Sequence, residues 1–349
     1  MIYKLRPVIK NYAWGGEDFL AELFNLEKNG TPKAEAWFGS HKDGASIIEN
    51  KDLNKWLEEK NQPPLPYLLK VLDMKIPLSI QAHPNKKEAE NGFWRENARG
   101  IKLNSPNRNY KDDNHKPEMS IALCDSWLLQ GIAKKEWVLK NLSERDSLKE
   151  MAVIWEKYPE KIALQKLFQI KEDIILSWLM PIINSYQGED KTNPDYWLKI
   201  AFNEGFRDSG LLAFYFMNII HLKKGERVYQ KTGLLHAYLE GKAVELMAAS
   251  DNVLRAGLTN KHRDLFELLA ILKINEEETT EKLDFDLEEI SLKEEETYQT
   301  NLKINPAILL LLEGKAKIDN LILNQGEAVL ITDNFNLKAL DNLYAVLTK

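Results

Sequence analysis

The sequence predicts a mainly β protein with an α-helical insert, built as two jelly-roll β-barrels plus a helical domain. Three observations predict it. Up to about residue 130, short apolar runs alternate with polar residues and are cut by Gly and Pro. From 131 to 221 the apolar residues recur at helical spacing. From 222 onward, short strands punctuated by glycine return. Strands and helices that fall into separate blocks argue against an alternating βαβ sheet and fit barrels carrying an insertion. The expected division is 1–130 for the first part of one barrel, 131–221 for the helical insert, 222–275 for the second part of that barrel, and 276–349 for a C-terminal jelly-roll unit.

The elements follow in order. Tyr12-Ala13-Trp14-Gly15-Gly16 reads as a turn with two aromatics, and Ala34 to Ser40 as a short strand. Leu65 to Leu72 reads as a buried strand entered through prolines. Leu78 to His83 alternates and stops at Pro84-Asn85, which predicts a half-buried strand with a polar inner face. In the insert, Trp137, Val138 and Leu142, then Leu164, Leu167 and Phe168, then Ile174, Ile175, Trp178 and Leu179 up to Pro181, mark helices. Leu211 to Ile220 is strongly apolar and is expected to be buried. Gly225, Gly233 and Gly241 separate short strands, and residues 264–273 read as a helix with Asp264 near its start. The acid-rich stretch 276–297 reads as a linker or exposed edge strands, and the last strands turn at Gly314 and Gly326.

Composition narrows the function. Lys and Arg total 47 against 53 Asp and Glu, a net charge of −6, with no basic block. Nucleic-acid binding depends on basic surface, so this class is set aside. One small anionic ligand needs only a few local cations. The lone Cys124 excludes an internal disulfide and a thiolate cluster, so a metal would need His, carboxylate or amide ligands. Residues 1–6 lack the apolar core of a signal peptide, and Leu211 to Met217 is too short to span a bilayer. The expectation is a cytoplasmic protein with no membrane partner, acting as a monomer.

Four stretches can carry chemistry. Gln81 and His83 stand two apart on a strand and share a face. They converge on a metal ion or form a structural polar pair. In His115-Lys116-Pro117-Glu118, Pro117 stiffens the entry to a strand and Glu118 offers an anionic oxygen, either as a ligand or as half of a Lys–Glu pair. His236 follows a glycine turn and is either a ligand or a satisfied core histidine. Glu245 precedes a charged loop of Asp251, Arg255 and Lys261, which holds an anion or is simply solvated.

Together these stretches resemble type I phosphomannose isomerases, zinc-dependent enzymes of the cupin superfamily. The resemblance rests on Ile80-Gln81-Ala82-His83-Pro84-Asn85, on His115-Lys116-Pro117-Glu118, on Gly233-Leu234-Leu235-His236-Ala237 and on Asp251 through Thr259, in that order. It implies two cupin-type barrels and one zinc ion held by Gln81, His83, Glu118 and His236. It implies Arg255 as the catalytic arginine, and Glu245, Asp251, Lys116 and His115 in proton transfer or substrate placement. Lys70, Ser79 and Lys261 match the phosphate end of the cleft and Trp14 an aromatic near it. One departure is Lys231-Thr232-Gly233, where the family carries Pro before the glycine.

The activity so implied interconverts mannose 6-phosphate and fructose 6-phosphate, moving one proton between C1 and C2 through a cis-enediol. Negative charge develops on oxygen, which a metal ion and Arg255 suit. Glu245 fits as the base if burial raises its pKa, and Lys116 is the other candidate. Two alternatives belong to other classes. A cupin oxidoreductase using non-haem iron would employ the two His and Glu118 as a facial triad, although Gln81 then fills a position such an enzyme leaves open. A non-catalytic sugar-phosphate-binding cupin would not need the complete ligand set with Arg255 and Glu245.

Overall fold

The apolar run after Pro66 forms the strand Tyr67–Met74, buried along its whole length, in the computed structural model, which describes residues 1–274, 285–302 and 306–349. A fully buried strand needs neighbours on both edges. Glu35–Gly39 pairs with one edge and the long strand His236–Ala248 with the other, both antiparallel. His236–Ala248 also pairs with Glu118–Ala122 and Ser126–Ile132. The short strands Ile80–Ala82 and Leu254–Gly257 pair with each other, and Ile80–Ala82 reaches His236. These strands belong to one ten-stranded sheet. The jelly-roll barrel expected from the two separated β blocks is thus assembled from both.

The C-terminal unit packs a seven-stranded sheet against a four-stranded one over a shared core that includes Leu309, Leu311, Ile318, Leu337 and Leu347. In Ala307–Glu313 every second residue faces that core, while Ile308, Leu310 and Leu312 pack against Leu69, Val71 and Leu246 of the first barrel. Burial on both faces explains why this strand is continuously apolar. The sheets interlock across the sequence blocks. Ile2–Arg6 pairs with Ala328–Ile331 in the seven-stranded sheet, and Met217–Leu222 pairs with Ser126–Ile132 in the ten-stranded one.

The insert carries the helices Lys135–Ser143, Lys149–Lys157, Glu160–Phe168, Glu172–Ser185 and Pro194–Asn203, packed around Trp155, Trp197 and Phe216. One helix runs past Pro181 rather than ending there. Proline forfeits one main-chain bond, but the buried Ile182 and Ile183 anchor the last turn. The apolar stretch 211–220 is not helical throughout: Ser209–Tyr215 is a short 3-10 segment and the strand Met217–Leu222 follows. The strand expected over Leu78 to His83 is confined to Ile80–Ala82, and Pro84-Asn85 just beyond it opens the helix Lys86–Ala98, which the sequence reading did not anticipate. The Asn85 side chain accepts from Glu88 N–H while the Glu88 carboxylate accepts from Asn85 N–H, a reciprocal cap. Asp264 caps Leu265–Ile271 as expected. Of the acid-rich stretch, residues 275–284 lie outside the described residues. The rest forms Leu287–Leu292 and Thr297–Gln299, each at a sheet edge. Among the described residues, no helix is long and apolar enough to cross a membrane.

A metal-ligand cluster at the floor of a cleft

Strand register builds the site. Gln81 lies directly between His236 and Arg255 on the two neighbouring strands. On the other wall, Trp37, Lys70, Glu245 and Ser120 form one row across four adjacent strands. His236 and Glu245 are nine apart on one strand, which in a regular strand would place them on opposite faces. A register shift between Tyr238 and Glu240 absorbs the extra residue. Glu245 thereby returns to the face of Tyr238, whose hydroxyl donates to Glu245 Oε1 at 3.0 Å.

His83, Glu118 and His236 meet in the interior, each buried, with their ligand atoms within 4.8 Å of one another, and of the three only Glu118 lines the adjoining cleft. Both histidines are fixed from behind. His83 Nδ1 faces the Asn252 carbonyl at 2.8 Å and His236 Nδ1 the Leu234 carbonyl at 2.9 Å. A carbonyl only accepts, so each Nδ1 carries the proton and each Nε2 turns a lone pair inward. Those Nε2 atoms stand 3.4 and 3.5 Å from the Glu118 oxygens, acceptor against acceptor. Among the described residues no hydrogen-bond partner satisfies His83 Nε2. Burial, and then the Lys116 charge, lower the His83 pKa to about 4, so the ring is neutral at pH 7. Burial alone would raise the Glu118 carboxyl, but the Lys116 ammonium at 2.9 Å outweighs it and holds Glu118 ionised. Gln81 borders the group, with its amide nitrogen 3.5 Å from His236 Nε2. Inward lone pairs around a carboxylate call for a cation. Two imidazoles, a carboxylate and an amide oxygen are the donor set of a nitrogen- and oxygen-ligated zinc ion.

The cleft above has a volume of ≈ 870 Å³. Trp14, Lys70, Ser79, Gln81, Lys116, Glu118, Glu245, Asp251, Arg255 and Lys261 all line it. His115, half-buried on the loop before Glu118, is not among the lining residues. Lys70 is held by carboxylates: its Nζ lies 3.1 Å from Glu245 and 4.0 Å from Glu35. Burial would lower the Lys70 ammonium, but those two acids hold it above its usual value. Burial pushes the Glu245 carboxyl up, and the facing Glu118 adds to it, against the pull of Lys70 and Lys116. Opposite them sits a group of cations. Burial lowers the Arg255 guanidinium. Burial, then Arg255 and Lys111, lower the Lys261 ammonium. Buried Arg255 Nε has no hydrogen-bond partner among the described residues.

A second metal-capable group is His41, Asp43 and Asp251, where protein groups already face both Asp251 oxygens. Asp43 N–H donates to His41 Nδ1 at 3.2 Å, so Nε2 carries the proton and faces Asp251 Oδ1 at 3.2 Å. Lys42 holds the other Asp251 oxygen at 3.0 Å. Burial alone would raise the Asp251 carboxyl, but His41 and Lys42 hold it well below the usual range.

Comparison with known proteins agrees with this geometry. The family profile "Phosphomannose isomerase type I, catalytic domain" matches residues 2–133. Mannose-6-phosphate isomerase of Escherichia coli (strain K12) is 33% identical, with 95% of each chain covered. This chain belongs to the type I phosphomannose isomerases. The human mannose-6-phosphate isomerase is 29% identical over 81% of this chain and 75% of its own. Phosphomannose isomerase structures from Salmonella typhimurium share the fold along the whole chain. The apo form superposes with a TM-score of 0.83 at 30% identity, covering 99% of this chain and 98% of that one. The form bound to its substrate and a zinc atom superposes with a TM-score of 0.80 at 30% identity and the same coverage.

Sequence reasoning missed several cleft residues. Tyr238 stands two beyond His236, so strand periodicity alone would have placed it on the same face. Glu35 and Trp37 could have been found by the same alternation. His41 and Lys111 carry no comparable signal, because loops bring them in.

Proposed function

We propose that this chain is a zinc-dependent aldose–ketose isomerase interconverting mannose 6-phosphate and fructose 6-phosphate. The observation that carries the reading is the convergence of inward lone pairs from His83 and His236 on Glu118, beside Gln81, next to a cleft that also holds Arg255, whose Nε has no hydrogen-bond partner among the described residues. When bound there, zinc supplies a Lewis acid that draws negative charge from a sugar oxygen. Arg255, in register with Gln81 and with no ion pair among the described residues, stabilises negative charge developing on the oxygens of C1 and C2. Lys261 and Ser79 hold the phosphate, which supplies orientation. Ser79 adjoins Ile80, which pairs with Gly257 on the strand leading into the Lys261 loop.

The proton then moves between C1 and C2 through a cis-enediol. Two bases face the cleft. Glu245 has a raised pKa and is oriented by Tyr238 and Lys70. Lys116 sits against Glu118. For ring opening, Asp251 lies on the cleft wall with His41 behind it. Trp14, stacked on Tyr12 with ring centroids 5.8 Å apart, walls the sugar.

The test is to incubate zinc-loaded protein with mannose 6-phosphate in deuterated water and follow the sugar by NMR. The expected result is fructose 6-phosphate carrying solvent deuterium next to the carbonyl. Absence of the ketose would overturn the activity, and ketose without any deuterium over long incubation would overturn the enediol.

A further inference from the structure

The helical insert carries no ligand of the metal cluster, yet its last turn touches the loop that carries the cleft cations. Asp208 caps the segment Ser209–Tyr215 by accepting from Gly210 N–H at 2.6 Å. The same carboxylate reaches about fifty residues further along the chain. Its Oδ1 accepts from Leu258 N–H and its Oδ2 from Thr259 N–H, each at 2.9 Å. Leu258 is held at φ +51°, in the left-handed region that a non-glycine residue avoids without external support. Support also comes from backbone contact. A Cβ added to Gly257 would lie 2.3 Å from Gly210 Cα, and one added to Gly210 would lie 2.3 Å from Leu258 N. Arg263 adds a strap by donating to Ser209 Oγ at 2.9 Å and to the Ala256 carbonyl at 3.3 Å. Phe206, from the same end of the insert, lines the cleft beside Leu258, Thr259 and Lys261.

We propose that Asp208 is a positioning residue for substrate binding: by gripping the Leu258 and Thr259 amides it fixes the turn that aims Lys261 at the substrate phosphate. The strained turn sits between Arg255 and Lys261, so it sets where the second cation stands relative to the first. A carboxylate suits the task because both oxygens accept at once, and bonds from N–H to an ionised acceptor are the stronger kind. The inference rests on the sugar-phosphate reading above.

The experiment compares wild type with Asp208→Asn and Asp208→Ser, all zinc-loaded. Asparagine keeps the shape but turns an amide donor toward one of the two loop amides. Serine still caps Gly210 but is too short to reach Leu258 and Thr259. Both variants should raise KM for mannose 6-phosphate about tenfold, the size of one lost charge-assisted hydrogen bond. Inhibition by inorganic phosphate should weaken in parallel, while zinc content stays at the wild-type level and kcat changes far less than KM. In a Lys261→Met background, Asp208→Asn should add almost nothing to KM, because the cation it positions is gone. An unchanged KM in both variants, a fall confined to kcat, or a full additional KM effect on top of Lys261→Met would overturn the proposal. A wild-type protein that neither turns over the sugar phosphate nor responds to inorganic phosphate would instead defeat the underlying reading.

Discussion

The two ends of the cleft are held by different means. At the metal end, Gln81 and His236 project from paired strands, and Glu118 opens another strand of the same sheet. Their spacing follows from hydrogen-bonded register, which a side-chain substitution disturbs little. At the cationic end, Lys261 rides on a turn whose backbone is gripped by Asp208 from the insert. On the proposed function, one cleft divides its labour: the sheet positions the metal-ligand cluster, and a clamp from another block of the chain positions the cation that would meet the phosphate. Substitutions at the metal end should therefore remove metal and turnover together. Those at the clamp should weaken binding and spare the metal.

The largest expected effect is at the ligands. Glu118→Gln or His236→Ala should lose bound zinc and cut kcat/KM by more than the roughly 10–100-fold typical of residues that merely support ligands. Metal content by mass spectrometry alongside turnover checks this, and a variant that kept full zinc and activity would break the comparison at its stronger end. Next come the bases. Lys116→Met and Glu245→Gln should differ, with the true base costing on the order of 10²–10⁴ in kcat. Whichever variant retains solvent-deuterium exchange into the sugar is not the base.

A smaller effect sharpens the line between the two ends. Asn252, wholly buried, aims His83 through its backbone carbonyl. Its side chain ties down residues 111–114, with bonds that include Lys111 N–H at 2.7 Å and the Asn114 carbonyl at 2.8 Å. Asn252→Ala should weaken zinc about tenfold or more, read by competition with a chromophoric chelator, and should disturb the Lys111 side of the cleft as well. The smallest effect concerns Asp251. Its folded-state pKa is depressed, so its contribution to stability is complete above the unfolded value of about 3.9 and is lost as the pH falls below that toward the folded value. Denaturant titrations of Asp251→Asn should therefore show a deficit at pH 7 that shrinks in acid.

The metal end was the legible one. Gln81 was readable as a strand residue, although the strand ends at Ala82 and His83 lies just past it, and Pro117 next to Glu118 marked a strand entry. Glu245 could not be placed on the same face from spacing, because the bulge after Tyr238 changes the parity and leaves no mark in the sequence. The helix Lys86–Ala98 was legible but overlooked: Asn85 and Glu88 spell a reciprocal cap. The pairing of Ile2–Arg6 with Ala328–Ile331 was beyond reach, since local pattern says nothing of a partner more than three hundred residues away. Asp208 was hidden for the same reason. It reads as an ordinary N-cap, and only the fold brings Leu258 and Thr259 to its oxygens.

The central claim is that one zinc ion at His83, Glu118, His236 and Gln81 enables the isomerisation. Stripping the protein with a chelator and titrating zinc back, with bound metal and conversion of mannose 6-phosphate measured on the same samples, tests it most directly. Turnover should rise in proportion to bound zinc and level off at one ion per chain. Full turnover in the stripped protein, or none at one bound ion per chain, would contradict the account.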